Sequence, residues 1–147
     1  MNRNKASDLG LLVLRIFLAA ILIYYGSQKM FGAFGGLGIS GTLAEFQKDH
    51  HFPQWLTMLA IVSEFFGSIA VAVGLLTRLA ALGIVCTLAT AAYSNFQGHM
   101  NYKDAHLPLA LCGMALTLIL TGAGHFSLDS FLLRRGKRGK AAAAKTP

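Results

Sequence analysis

A chain of 147 residues that is 54% apolar and 13% charged is a single domain by length, and its charge content falls well below the roughly 25% usual for soluble domains. The composition therefore points to a bilayer. Its net charge of +7 gathers at the ends, with six Lys or Arg among the last fourteen residues and no interleaved aromatic, so it reads as a topology signal and nucleic-acid binding is not expected.

Residues 1–8 carry Arg3 and Lys5 and give way to an apolar run interrupted only by Gly10 and Arg15. The run is longer than a signal-peptide core, contains an arginine and precedes further spans. It is read as a retained transmembrane helix over 9–30. Between 31 and 54, Gly32, Gly35, Gly36, Gly38 and Gly41 break the helix, and Pro53 marks a new start. A short interfacial helix over 43–48 fits the first outer loop, and Trp55 sits where an aromatic belt would anchor the next span.

The second span is read over 56–76. The Thr77-Arg78 connection is so short that the third, over 79–93, has to return antiparallel beside it. A polar loop precedes the fourth span, over 107–122, with Pro108 in its first turn. A basic tail over 134–147 is expected to be disordered. The fold class is thus all-α: an integral membrane four-helix bundle, antiparallel and up-down, in one domain over 1–133. Arg3, Lys5, Arg78 and the tail cations share one side, which places both termini in the cytoplasm.

Two ionisable side chains lie deep in apolar spans, Arg15 and Glu64. A charge near mid-membrane costs about 2.5–3.5 kcal/mol on insertion scales and normally faces the protein interior. At helical spacing Arg15 shares a stripe with Ala19, Leu22, Gly26 and Lys29, while Glu64 stacks with Ala60, Gly67, Ser68 and Val71. The two backbones differ in depth by roughly 9 Å at about 1.5 Å per residue, a gap that an arginine stem largely covers. Two readings stay open: a structural ion pair, or an Arg15 turned to the cytoplasm that leaves Glu64 as a proton-handling acid.

Gly83, Thr87, Thr90, Ser94 and Gln97 form a stripe on the third span, and Ala110, Gly113, Thr117, Thr121 and Gly124 another on the fourth. Either their hydroxyls back-bond to their own helices, or they line a polar cleft around Glu64. Cys86 and Cys112 should sit at different depths, too far apart for a disulfide, as small buried apolar residues. The outer histidines, His50, His51, His99 and His106, lack ligand spacing on a confident helix, so no metal is expected.

Leu14-Arg15, Gly26-Ser27-Gln28-Lys29-Met30-Phe31-Gly32, Glu64-Phe65-Phe66-Gly67, Gly74-Leu75-Leu76-Thr77-Arg78 and Gly122-Ala123-Gly124-His125-Phe126-Ser127-Leu128-Asp129 occur in this order. Together they resemble the DoxX family of small four-span bacterial membrane proteins over about 9–133. Tyr25 stands where members often have histidine, and Ala123 and His125 replace a usual proline and basic residue.

The resemblance implies residence in the bacterial inner membrane and an association with redox complexes. Some relatives are subunits of a thiosulfate to quinone oxidoreductase, others belong to thiol or oxidative-stress systems, and many carry only a provisional oxidoreductase label. On that reading the bundle receives a quinone head group and works with redox partner proteins. Arg15 and Glu64 are the candidate catalytic groups, and Gln28, Lys29, Tyr25, Ser68, Thr87 and Thr117 the candidate ligand-binding groups. A carrier or channel for a small polar or weakly acidic molecule, and a non-catalytic membrane scaffold, are the alternatives.

Overall fold

The computed structural model describes residues 5–50, 53–97 and 102–132. Its helices are α1 (Lys5–Phe31), α2 (Gly38–His50), α3 (Gln54–Val73), α4 (Thr77–Gln97) and α5 (Tyr102–Thr121), with a 3-10 turn at Ala33–Gly35 between the first two. One further helical turn occupies 128–132, and no strand occurs among the described residues.

Each long helix turns one stripe inward. On α1 the buried positions are Leu11, Arg15, Leu18, Leu22 and Gly26; on α3 they are Thr57, Ile61, Glu64, Ser68 and Val71. On α4 they are Thr77, Ala81, Ile84, Leu88 and Ala92, and on α5 Ala105, Leu111, Ala115 and Leu118. Spacings of three and four keep each set on one face. α3 packs between α1 and α4, α5 packs on α4, α1 also touches α5, and α2 lies against α1 and α3. The shared core contains Leu18, Leu22, Val71, Ile84, Leu111 and Leu118.

α1 and α3 are long and apolar enough to cross a membrane, whereas α4 and α5 contain the shorter apolar stretches Thr77–Tyr93 and Ala105–Thr121. Their outward positions are large and apolar, among them Phe17, Phe66, Leu79 and Leu120. Where lipid is as apolar as leucine, helices gain little from hiding such residues. They are held by close approach and polar ties instead.

The helices extend beyond the apolar runs that announce them. Hydropathy marks the membrane-compatible part of a helix, but Lys5–Asp8, Ser94–Gln97 and Tyr102–His106 are mostly polar stretches that a helix accepts. α5 consequently starts earlier than 107, so Pro108 lies inside it rather than in its first turn. The helix between the first two apolar spans is likewise longer than 43–48, running over Gly38–His50. α3 stops short of 76 because Gly74 adopts φ 78°, ψ 40°, and its N–H reaches back to the carbonyls of Ala70 and Val71. The tail over 134–147 lies outside the described residues.

Candidate functional site

Two glycine-dependent contacts set the geometry of the polar groups. Near the C-terminal end of α1, a Cβ on Gly26 would stand 3.1 Å from the Cα of Phe65, so glycine is what lets the two backbones come this close. The rings of Phe31 and Phe65 pack edge to face beside that contact, with centroids 5.3 Å apart. One turn beyond Gly26, Lys29 projects from the same stripe toward α3. Its Nζ donates to Glu64 Oε2 at 2.5 Å.

This pair is asymmetric in its surroundings. The Glu64 side chain is 4% exposed and that of Lys29 30%. A carboxylate isolated in an apolar interior is costly, and a neighbouring ammonium with a hydrogen bond offsets that cost. Lys29 also keeps donor capacity, since an ammonium has three N–H groups and one is directed at Glu64.

The pair lies on the wall of a cleft of about 380 Å³ lined by α2, α3 and α4. Leu56, Leu59, Ile61, Leu79 and Leu82 make most of the wall apolar, and Thr42, Thr57, Ser63, Thr87 and Thr90 add hydroxyls. A mostly apolar cleft of this size with a few convergent polar groups is the usual form of a small-molecule site. Thr87 and Thr90 lend it limited donor capacity, because their hydroxyls already donate to the carbonyls of Gly83 at 3.0 Å and Cys86 at 2.9 Å. Cys86 is an exposed free thiol on this wall rather than the buried apolar residue expected, and Cys112 is half-buried against the core.

Arg15 is engaged elsewhere, so its ion pair with Glu64, one of the two readings open from sequence, does not form. Its Nε donates to the Val71 carbonyl at 2.8 Å and its Nη2 to Ala72 at 2.7 Å, while Nη1 donates to Ala123 at 2.9 Å and Phe126 at 2.8 Å. Val71 and Ala72 belong to the last turn of α3, where carbonyls lack intrahelical partners and the helix dipole favours a cation. Thus a residue only 1% exposed ties α1 to the end of α3 and to the segment after α5. Gly74 makes room for it, since a Cβ there would stand 2.5 Å from Arg15 Nη2 and 2.6 Å from the Ser127 Cβ.

The segment after α5 completes this lock. Asp129 accepts from the backbone N–H groups of Leu76 at 2.8 Å and Thr77 at 3.0 Å, capping the start of α4 from a distant part of the chain, and its own N–H donates to Gly74. Asp8 accepts from the His125 N–H at 3.0 Å. The Gly122 to Asp129 motif thus has a structural account in these contacts.

Of the residues singled out by sequence, the structure brings Lys29, Glu64 and Thr87 to one cleft. Ser68 is buried one turn from Glu64 and donates to the Phe65 carbonyl at 2.6 Å. Thr117 is exposed on α5 and donates to Gly113 at 2.9 Å. Tyr25 packs edge-on against Tyr24, and the Gln28 carbonyl accepts from Gly32; neither residue lines the cleft. Sequence reasoning missed the partner of Glu64, although Gly26 and Lys29 on one stripe were the available signal. No group of three His, Cys, Asp or Glu is arranged to hold a metal among the described residues.

Comparison with known proteins adds a family context. Residues 10–99 match the family model described as DoxX. The chain is 31% identical to inner membrane protein YqjF of Escherichia coli (strain K12), over 90% of this chain and 98% of the relative. It is 32% identical to inner membrane protein YphA of the same strain, over 88% and 99%. It is 25% identical to CatD of Bacillus subtilis (strain 168), provisionally named an oxidoreductase, over 95% and 99%. No solved structure matches it.

Proposed function

The chain belongs to the DoxX family of membrane proteins, and from that premise we propose that it is a membrane subunit or accessory of a quinone-linked redox system. The observation that carries this reading is the Lys29–Glu64 pair on the wall of a largely apolar cleft. Its volume of about 380 Å³ has room for a substituted six-membered ring and the start of an apolar tail. The tail would leave between α3 and α4, past the exposed Leu59 and Leu82.

The same reading has α1, α3, α4 and α5 crossing the bacterial inner membrane as an up-down bundle with both termini in the cytoplasm. The connection between α3 and α4 is short enough to require an antiparallel return, and along the backbones Ser63 lies by Gly83 whereas Gly67 lies by the Ala80 carbonyl. The position on one helix falls as the other rises. The inner membrane assignment draws on the names of the two Escherichia coli relatives, and the redox role on that of CatD.

A bound quinone would supply a two-electron, two-proton couple, with the electrons delivered by a partner redox protein. Lys29 Nζ would be the residue to donate a hydrogen bond to the near ring oxygen of such a head group, favouring negative charge there. Glu64 holds Nζ in place and keeps the site neutral overall. The apolar wall excludes water, which strengthens both interactions. Arg15 takes no part in this chemistry and keeps the other end of the helices together.

Photolabelling of membranes with an azidoquinone tests the reading. Label is expected on peptides of α3 and α4 that line the cleft, and it should fall in Glu64→Gln. Label absent from these helices, or unchanged by that substitution, contradicts it.

A further inference from the structure

Threonine inside a helix commonly turns its hydroxyl onto the carbonyl four residues earlier. Thr87, Thr90, Thr117 and Thr121 do so, donating to Gly83, Cys86, Gly113 and Thr117. Thr42 and Thr57 break the pattern. Among the described residues neither hydroxyl has a hydrogen-bond partner, although the residues are only 4% and 5% exposed. At Thr57 the carbonyl that would serve, that of Pro53, already accepts from the N–H groups of Leu56 and Thr57. Thr77 Oγ1 is also without a partner among the described residues but is sealed away from the cleft, whereas the Thr42 and Thr57 hydroxyls lie on the cleft wall and can bond to what enters it.

Both threonines line the cleft, Thr42 from α2 and Thr57 from the first turn of α3. Thr57 and Glu64 are on the same buried stripe, two turns apart, or about 10.5 Å along the axis. The cleft therefore has hydrogen-bonding groups at two ends, with the apolar Ala60 and Ile61 between them. A six-membered ring with oxygens at opposite positions spans roughly 5 Å between those oxygens and takes a hydrogen bond of about 2.8 Å at each, a size suited to a cleft whose polar ends are two helical turns apart.

We propose that Thr42 and Thr57 bind the second oxygen of a lipid-soluble para-quinone whose first oxygen faces Lys29. These hydroxyls make the cleft selective for a head group with oxygens at both ends over one with a single oxygen. The assignment rests on the quinone reading above and deepens it. Lys29 fixes the near oxygen, and the two hydroxyls, one on each of two helices, fix the far one and with it the orientation of the ring.

The chain has one tryptophan, Trp55, two residues from Thr57, so quenching of its fluorescence by a bound quinone reports occupancy. Decylubiquinone and 4-decylphenol would be titrated into the full chain in detergent, the phenol detected by its displacement of the quinone. The unmodified chain is expected to hold the quinone roughly tenfold tighter than the phenol, and Thr42→Val or Thr57→Val to weaken the quinone by roughly tenfold while sparing the phenol. Thr57→Ser, which restores a hydroxyl, should recover most of that loss. Equal affinity of the unmodified chain for quinone and phenol overturns the assignment without any variant. Quinone affinity unchanged in both valine variants overturns it too, and either result leaves the quinone reading standing. No binding of decylubiquinone to the unmodified chain overturns both.

Discussion

Because the Glu64 side chain is 4% exposed while Lys29 keeps 30% of its side chain accessible, the two halves of the pair should not be equally costly to remove. Lys29→Met leaves a buried carboxylate without its cation, a loss expected at about 3 kcal/mol or more. Glu64→Gln leaves an ammonium on a flexible stem near the end of α1, from which it can reach water, and about 1 kcal/mol is expected. Replacing both, as Lys29→Met with Glu64→Leu, should recover most of the larger loss, because an apolar pair leaves nothing unsatisfied. Thermal melts in detergent check this: equal losses in the single variants, or simple additivity in the double, go against a coupled buried pair.

Between elements, the strongest polar tie is Arg15, whose guanidinium reaches carbonyls of α3 and of the segment after α5. Lysine keeps the charge but offers one compact donor centre instead of a planar fork. Arg15→Lys should therefore lower stability by about 2 kcal/mol or more through carbonyls left unbonded, measurable as a lower midpoint in the same melts. A midpoint equal to that of the unmodified chain would mean that the fork geometry is not what holds the helices together.

The stripe of Arg15, Ala19, Leu22 and Gly26 was legible in the sequence, and so was its inward direction, because periodicity records which face is hidden. The partners of Arg15 were not legible. They are backbone carbonyls, which carry no residue identity, and two of them, those of Ala123 and Phe126, lie in the segment after α5 that Asp129 ties to the start of α4. Depth arithmetic on α1 and α3 brought Arg15 near Glu64, yet it could not weigh an acid against helix-end carbonyls that also need a donor.

For the whole molecule, composition and the order of apolar runs indicated a helical membrane protein, and the family match and the all-helical architecture agree with that. The candidate site was half legible. Glu64 stood out as an acid in an apolar run, Lys29 as a candidate ligand-binding group on the Arg15 stripe and Thr87 on a polar stripe, but nothing marked Lys29 as the partner of Glu64, and Thr117, chosen alongside Thr87, does not share its cleft. Residues on different helices meet through close contacts such as that of Gly26 with Phe65, which a single-helix pattern does not encode. The central claim is that the Lys29–Glu64 cleft holds a quinone head group. Mass spectrometry of small molecules retained by the chain after mild detergent purification tests it most directly. The account predicts a co-purifying quinone in the unmodified chain that is depleted in Glu64→Gln; no quinone in the unmodified chain, or equal retention in a folded Glu64→Gln, would contradict it.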